Sequence, residues 1–287
     1  MKPATDPFTC LLRTALAVAS SVSFLSCTLI TDADREQCVV DTDCLERGDA
    51  FKATVCQESQ CVADPAWACL QDQGDSSDPG PFTVRLPLVS VLDQSAMAGV
   101  TAVMYRKIDV ASSNPISAQA VSDANGVVEL SVEKGFDGYV SLSHQSIGPS
   151  LYFFNPPVRR SETVSPIRLA SIPVVAALFQ QVGRTYDPNQ GVVILTAEDC
   201  QSRPLSQVSY TVPKWSASTA VFYSVDGLPT TSTSATDGSG YGGLIGLPPE
   251  TVAISATHTT QGSIGGLSLF VRAGALSYSR MVPSVRR

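Results

Sequence analysis

One order of short segments occurs twice in this chain, and a repeat of alternating runs restricts the folds open to it. In the first copy VSVLD precedes AGVTAVMY, SDANG follows, and GYVSLSH comes last; in the second the order is VILTAED, SQVSYTV, TDGSG and TVAISATH. The offsets grow from 106 residues at Asp93 and Asp199 to 108 at Val100 and Val208 and 114 at Asp123 and Asp237, as loops lengthening between matched strands would produce. Within the first copy Phe82, Val84 and Leu86, then Val100, Ala102 and Met104, Val128, Leu130 and Val132, and Val140 and Leu142 alternate with polar or small residues. That period of two belongs to half-buried strands. Asn125-Gly126 reads as a tight hairpin turn. The expected fold is therefore all-β, with two tandem Ig-like β-sandwiches at 82–170 and 191–287 joined by a connection at 171–190. Ile172 to Val182 (IPVVAALFQQV) within it fits a short helix and a strand equally. Residues 71–81 (QDQGDSSDPGP) lack apolar residues and read as a linker.

The pattern of a strand ending in Asp, a small-residue turn, Gly-Val-x-Val in idealised form, (Thr/Ser)-Asp-x-x-Gly and another strand resembles the carboxypeptidase-regulatory-like or transthyretin-like sandwich. Bacterial Cna-B-type surface modules share it. The resemblance implies a scaffold or binding module outside the cytoplasm, and it extends to fold more than to function. Cna-B-type domains sometimes carry a Lys to Asn or Asp isopeptide bond. Lys107, Lys134 and Lys214 do not fall in the opening strands at Phe82–Leu92 or Gly191–Ala197, so no such bond is expected.

Before the repeats, residues 38–69 hold five cysteines with little apolar periodicity, so a small module at 27–70 must rely on disulfides. Cys38, Cys44, Cys56, Cys61, Cys69 and Cys200 are the disulfide candidates. Zinc competes for such residues, but the spacings lack Cys-x2-Cys knuckles and no histidine is near. Five is odd, so one cysteine of the cluster must look elsewhere. Cys69 with Cys200 is the expected pair, with a free Cys200 as the alternative.

The N-terminus explains the cysteine usage. Lys2 and Arg13 precede the apolar run Thr14 to Leu25, which ends in small residues as a secretory signal does. The uncharged stretch to Thr31 is diluted by serines and followed by Asp32 and Asp34, which disfavours a membrane span. Phe24-Leu25-Ser26-Cys27 resembles a lipobox, with Phe24 where that family usually has Leu. The resemblance implies removal of residues 1–26 and lipidation of Cys27, a partnership with the membrane through the N-terminal lipid, and, with Thr28 after the cysteine, passage to the bacterial outer membrane or cell surface. Removal leaves 261 residues, and the net charge moves from −7 to −8 with the loss of Lys2, Arg13 and Asp6. So acidic a chain lacks the field that would attract nucleic acid.

No catalytic residues, cofactor or metal site emerge. Gly238 to Gly243 satisfies Gly-x-Gly-x-x-Gly, but no buried strand precedes it and no helix follows. Ser131-Val-Glu-Lys134 satisfies Ser-x-x-Lys in a strand, where an acylating serine needs a helix. Arg47-Gly48-Asp49 matches a tripeptide that integrins read and is expected to be a solvated loop, and Asp41 and Asp43 lack the spaced ligands of an EF-hand. His144 and His258 are the only histidines, each 21 residues after the turn aspartate of its repeat. They are expected to pack or hydrogen-bond at the sandwich rims. The leading expectation is a lipid-anchored extracytoplasmic structural or binding protein that meets an envelope protein or polysaccharide. The alternative is an accessory module of an extracellular hydrolase, or a weak hydrolase using His144 or His258 with a loop carboxylate.

Overall fold

Strands form where the alternating runs occur. The computed structural model describes residues 36–70, 78–117, 119–213 and 216–284; the signal 1–26, Cys27 and Lys214 lie outside the described residues. The module carries α1 (Asp41–Leu45) and a hairpin of β1 (Thr54–Gln57) and β2 (Gln60–Ala63), then a 3-10 helix at Pro65–Leu70. The first repeat gives β3 (Phe82–Ser90), β4 (Thr101–Arg106), β5 (Ala120–Val121), β6 (Val127–Val132), β7 (Gly138–Ser143), β8 (Ser150–Phe153), β9 (Glu162–Thr163) and β10 (Ile167–Leu169). After α2 (Ile172–Gln181) the second repeat gives β11 (Gly191–Ala197), β12 (Val208–Thr211), β13 (Ala220–Val225), β14 (Leu228–Thr230), β15 (Tyr241–Leu247), β16 (Thr251–His258), β17 (Gly262–Phe270) and β18 (Leu276–Met281).

The two repeats share one pairing scheme. β3 pairs antiparallel with β6 and parallel with β10, and β11 pairs antiparallel with β15 and parallel with β18. The sequential ladders β4–β7–β8 and β12–β16–β17 match as well. Each repeat is thus a sandwich, and the two are fused by a parallel pairing of β18 with β8, from Leu276 opposite Ser150 to Ser279 opposite Phe153. A nine-stranded sheet results, in the order β14-β13-β15-β11-β18-β8-β7-β4-β5.

The strand period of two lets that sheet serve two cores. Tyr152 and Phe154 of β8 and its extension, with Leu276 and Tyr278 of β18, enter the core under β10-β3-β6; Leu151, Phe153 and Met281 point the opposite way into the core under β12-β16-β17. All of Phe82, Val84, Leu86, Val100, Ala102, Met104, Val128, Leu130, Val132, Val140 and Leu142 are buried in the first core. β18 is buried at every position, serines and arginine included, because both faces of its sheet are covered.

One open alternative is settled and one expectation changes. The Ile172 to Val182 run is helical over Ile172–Gln181, with Pro173 in the first turn and Val175 and Phe179 buried one turn apart. Asn125-Gly126 does not close a hairpin, since β5 and β6 lie in different sheets and the turn links the two layers. Among the described residues of the module only Cys38, Cys44, Ala53 and Trp67 are buried and apolar, too few for a core of its own.

Candidate functional site

Disulfides join Cys38 to Cys56, Cys44 to Cys61 and Cys69 to Cys200, with Cα–Cα distances of 5.7, 5.6 and 5.5 Å. The sulfurs of Cys38, Cys44 and Cys61 lie within 4.8 Å of one another. Each is held in a disulfide, so none offers the thiolate that zinc requires. The third bond closes a separation of 131 residues and ties the module to the second sandwich. Replacing both Cys69 and Cys200 by serine is expected to cost about 2–4 kcal/mol. Equilibrium unfolding would read the loss, and hydrogen exchange over residues 36–70 should rise first.

The repeated turn motif is structural in both copies. Ser122 Oγ accepts the Val100 N–H and donates to Met97 O, while Asp123 Oδ1 accepts the N–H groups of Asn125 and Val127. Thr236 Oγ1 likewise accepts from Val208 N–H and donates to Leu205 O, and Asp237 Oδ1 accepts from Ser239. The last glycine of each motif closes the lock: Leu88 N–H donates to Gly126 O and Ala197 N–H to Gly240 O, both at 2.8 Å. These bonds also correct the alignment of the preceding turn. Leu88 is the counterpart of Ala197, so Ser90, and not Asp93, stands where Asp199 does; the N–H groups of Ser90 and Asp199 reach Ser95 O and Arg203 O. Asp41 and Asp43 are occupied too, accepting backbone N–H groups of Cys56 and of Val39 and Val40.

His144 and His258 are true counterparts, because Thr101 pairs with Ser143 and Ser209 with Thr257, each immediately before its histidine. His144 Nδ1 accepts the Ser146 N–H at 3.3 Å and also meets Ser146 Oγ at 2.7 Å. His258 Nδ1 accepts the N–H groups of Thr260 and Gln261 at 3.3 and 3.2 Å. Both rings therefore cap the turn after their strand and carry the proton on Nε2, as assigned from the hydrogen-bond network. A general base would need the nitrogen that is already engaged, and the nearby turn aspartate is consumed by its own loop.

His258 also packs edge-on against Trp67 of the module, ring centroids 4.9 Å apart. Burial lowers its pKa. The neutral ring is favoured in the fold, so its contribution is complete above the ordinary histidine value of about 6.5 and is lost as pH falls below it. Acidification is expected to lower the protection of residues 65–70 against hydrogen exchange, taken relative to the intrinsic rate at each pH, and a His258→Gln variant should lose most of that pH dependence.

At the seam of the two sandwiches lies a buried charge cluster that the sequence did not reveal. Arg280 Nη2 donates to Glu162 Oε1 at 2.5 Å and its Nη1 lies 4.0 Å from Glu198 Oε2, while Nε donates to Asn155 O at 3.1 Å. Glu198 is 1% exposed, and its Oε2 accepts no hydrogen bond among the described residues. Burial pushes its pKa up, against the lowering effects of Ser165 and Arg280. Among the described residues a space of about 20 Å³ adjoins the cluster, too little for a substrate.

A larger cleft, of about 400 Å³, opens at the rim of the first sandwich between the β3–β4 turn, His144 and the start of α2. Val91, Met97, Ile147, Leu169 and Val174 give it an apolar wall, and Ser90, Ser95, Ser146 and Ser171 add hydroxyls. No charged side chain among the described residues lines it. Arg47 of the tripeptide donates to Gln37 O and lies over Phe51. No helix among the described residues is long and apolar enough to cross a membrane.

No protein-family profile and no curated protein matches the chain. Among solved structures it is similar to the Bacillus anthracis TIE protein, at 9% identity and a TM-score of 0.26 over 71% of this chain and 34% of that one, about a third of its length. It is also similar to the shaft pilin SpaA from Lactobacillus rhamnosus GG, 13% identical with a TM-score of 0.24 over 72% of this chain and 100% of that one. GBS52, the minor pilin of Streptococcus agalactiae, is 12% identical with a TM-score of 0.24 over 72% of this chain and 97% of its own. At these values the likeness is distant, and the β-sandwich fold rests on the strand pairing of this chain itself.

Proposed function

We propose that this chain is a lipid-anchored extracytoplasmic protein of the bacterial envelope, structural or ligand-binding and not catalytic. The observation that carries the export half of the reading is the set of three disulfides, which form and persist in oxidising compartments. The occupied histidines and turn aspartates support the non-catalytic half. In that reading Cys27 holds the lipid, and because each buried methylene contributes about 0.8 kcal/mol, several acyl chains anchor where one binds reversibly. The fused sandwiches then stand off the membrane and present their rims to an envelope protein or polysaccharide.

Mass spectrometry of detergent-solubilised membrane fractions tests the anchor. A diacylglyceryl-modified Cys27 at the mature N-terminus is the expected result; an unmodified Cys27, or release without detergent, overturns it. A panel of peptide, ester and glycan substrates tests the rest, where hydrolysis that disappears in His258→Ala would replace this reading by an enzymatic one.

A further inference from the structure

The internal repeat allows the two rims to be compared atom by atom, and one of them already holds a peptide. On the second sandwich the module's Pro65–Leu70 segment sits against the rim: Trp67, 5% exposed, meets His258, Ala66 O accepts the Cys200 N–H at 2.9 Å, and Cys69 bonds to Cys200. Leu205 joins Trp67, Ala66 and Leu70 in the same apolar cluster. The matched hydrogen bonds and registers assign each of these rim residues a counterpart. His258 corresponds to His144, Leu205 to Met97 and Cys200 to Val91. The Val91 N–H, however, is taken by Leu169 O at 3.0 Å, so the backbone bond that Cys200 gives to Ala66 is not offered again and the likeness rests on the histidine and the apolar wall.

His144, Met97 and Val91 are all walls of the open 400 Å³ cleft. The part of that surface which meets Trp67 in one repeat is thus open at His144 and Met97 in the other, beside the chain's own Leu169 and Val174, in a cleft whose size falls within the range of about 300–1,000 Å³ usual for ligand sites. His144 Nε2, which carries the proton, has no hydrogen bond among the described residues and is free to donate. The absence of charged lining among the described residues disfavours a charged occupant, whose desolvation would go uncompensated. The module itself is bonded to its own second sandwich through Cys69 and Cys200, so the same segment of another copy is not free to fill the cleft.

We propose that the cleft at His144 is a docking site for a short uncharged segment of a partner protein bearing an aromatic side chain, seated on His144 as Trp67 is on His258. This rests on the binding reading above and names its partner class.

The test uses the intact oxidised chain and, as probe, a synthetic peptide of residues 65–70 with Cys69→Ser. Saturable one-to-one binding is expected, at least tenfold weaker with His144→Ala, and also weakened at least tenfold when the peptide carries Trp67→Ala. Ala98→Trp, which fills the cleft from an exposed turn, should abolish binding while unfolding as the wild type does. No saturation up to millimolar peptide, or binding that survives both His144→Ala and Ala98→Trp, overturns the assignment. A glycan array run on the wild type and Ala98→Trp separates this from the broader reading: a glycan bound only by the wild type, with no peptide binding, would sink the aromatic-peptide site and leave a binding role intact.

Discussion

Gly240→Ala is expected to destabilise the second sandwich by more than about 4 kcal/mol, at the extreme of single substitutions. The glycine has φ +69°, and a Cβ there would stand 2.4 Å from Ala197 O and 3.1 Å from Leu205 N. Those are backbone atoms of the crossing that the turn motif locks, and Leu205 N–H donates to that same Ala197 oxygen. Neither can yield without breaking the ladder between β11 and β15. Gly126, at φ +73°, makes the same approach in the first sandwich, with its Cβ 2.5 Å from Leu88 O and 2.8 Å from Met97 N, so Gly126→Ala should match it. Gly227 supplies the control. It has φ +81° with nothing within 4 Å of the added carbon, so Gly227→Ala carries only the left-handed backbone cost, about 1–2 kcal/mol. Denaturant unfolding of the three variants decides the matter, and equal losses in all three would show that close approach is not what these glycines serve.

The glycine pair also shows what a single sequence makes legible. Its spacing from the preceding aspartate repeats, so the two turns stand out as a motif in the residue order alone, and the alternating runs around them mark β3, β4, β6 and β7. Local chemistry is enough for β3, β4 and β6, each with one face partly exposed, and in β7 Val140 and Leu142 still alternate with Ser141 and Ser143 although Tyr139 is buried in the second core. β18 is hidden for the opposite reason. Leu276-Ser-Tyr-Ser-Arg-Met281 reads as a polar strand, yet every residue is buried, since its outer edge pairs with β8 of the other repeat. A burial partner contributed from over a hundred residues away leaves no local trace. The rim cleft is hidden similarly: Val91, Met97 and His144 each look like ordinary strand-end residues, and only the fold brings them together. The first turn misleads in alignment because Asp93 and Asp199 look equivalent while the hydrogen bonds match Ser90 to Asp199.

Arg280→Met is expected to cost about 3–5 kcal/mol at neutral pH, because it leaves the half-buried Glu162 and the buried Glu198 without their cation. Methionine restores most of the arginine's apolar volume, so the loss reads charge and hydrogen bonding more than a cavity. Arg280 also ties two strands of the seam, donating from Nε to Asn155 O while Asn155 Nδ2 donates back to Arg280 O at 2.9 Å. The sign of the pH dependence separates the two contributions. Glu198 already has a raised pKa from burial, and losing the guanidinium raises it further. A carboxyl raised in the fold contributes stability that is complete below its unfolded value of about 4.3 and is lost as pH rises through the folded value. The variant should therefore approach the wild type on acidification towards about pH 4.5 and fall behind it towards neutrality. Adding Glu162→Gln and Glu198→Gln to Arg280→Met should recover stability at neutral pH, since the amides bring no charge to bury. Thermal unfolding of the single and triple variants across that range measures this directly. A single variant within about 1 kcal/mol of wild type at neutral pH would mean that the seam is held by the β8–β18 ladder and its apolar faces alone.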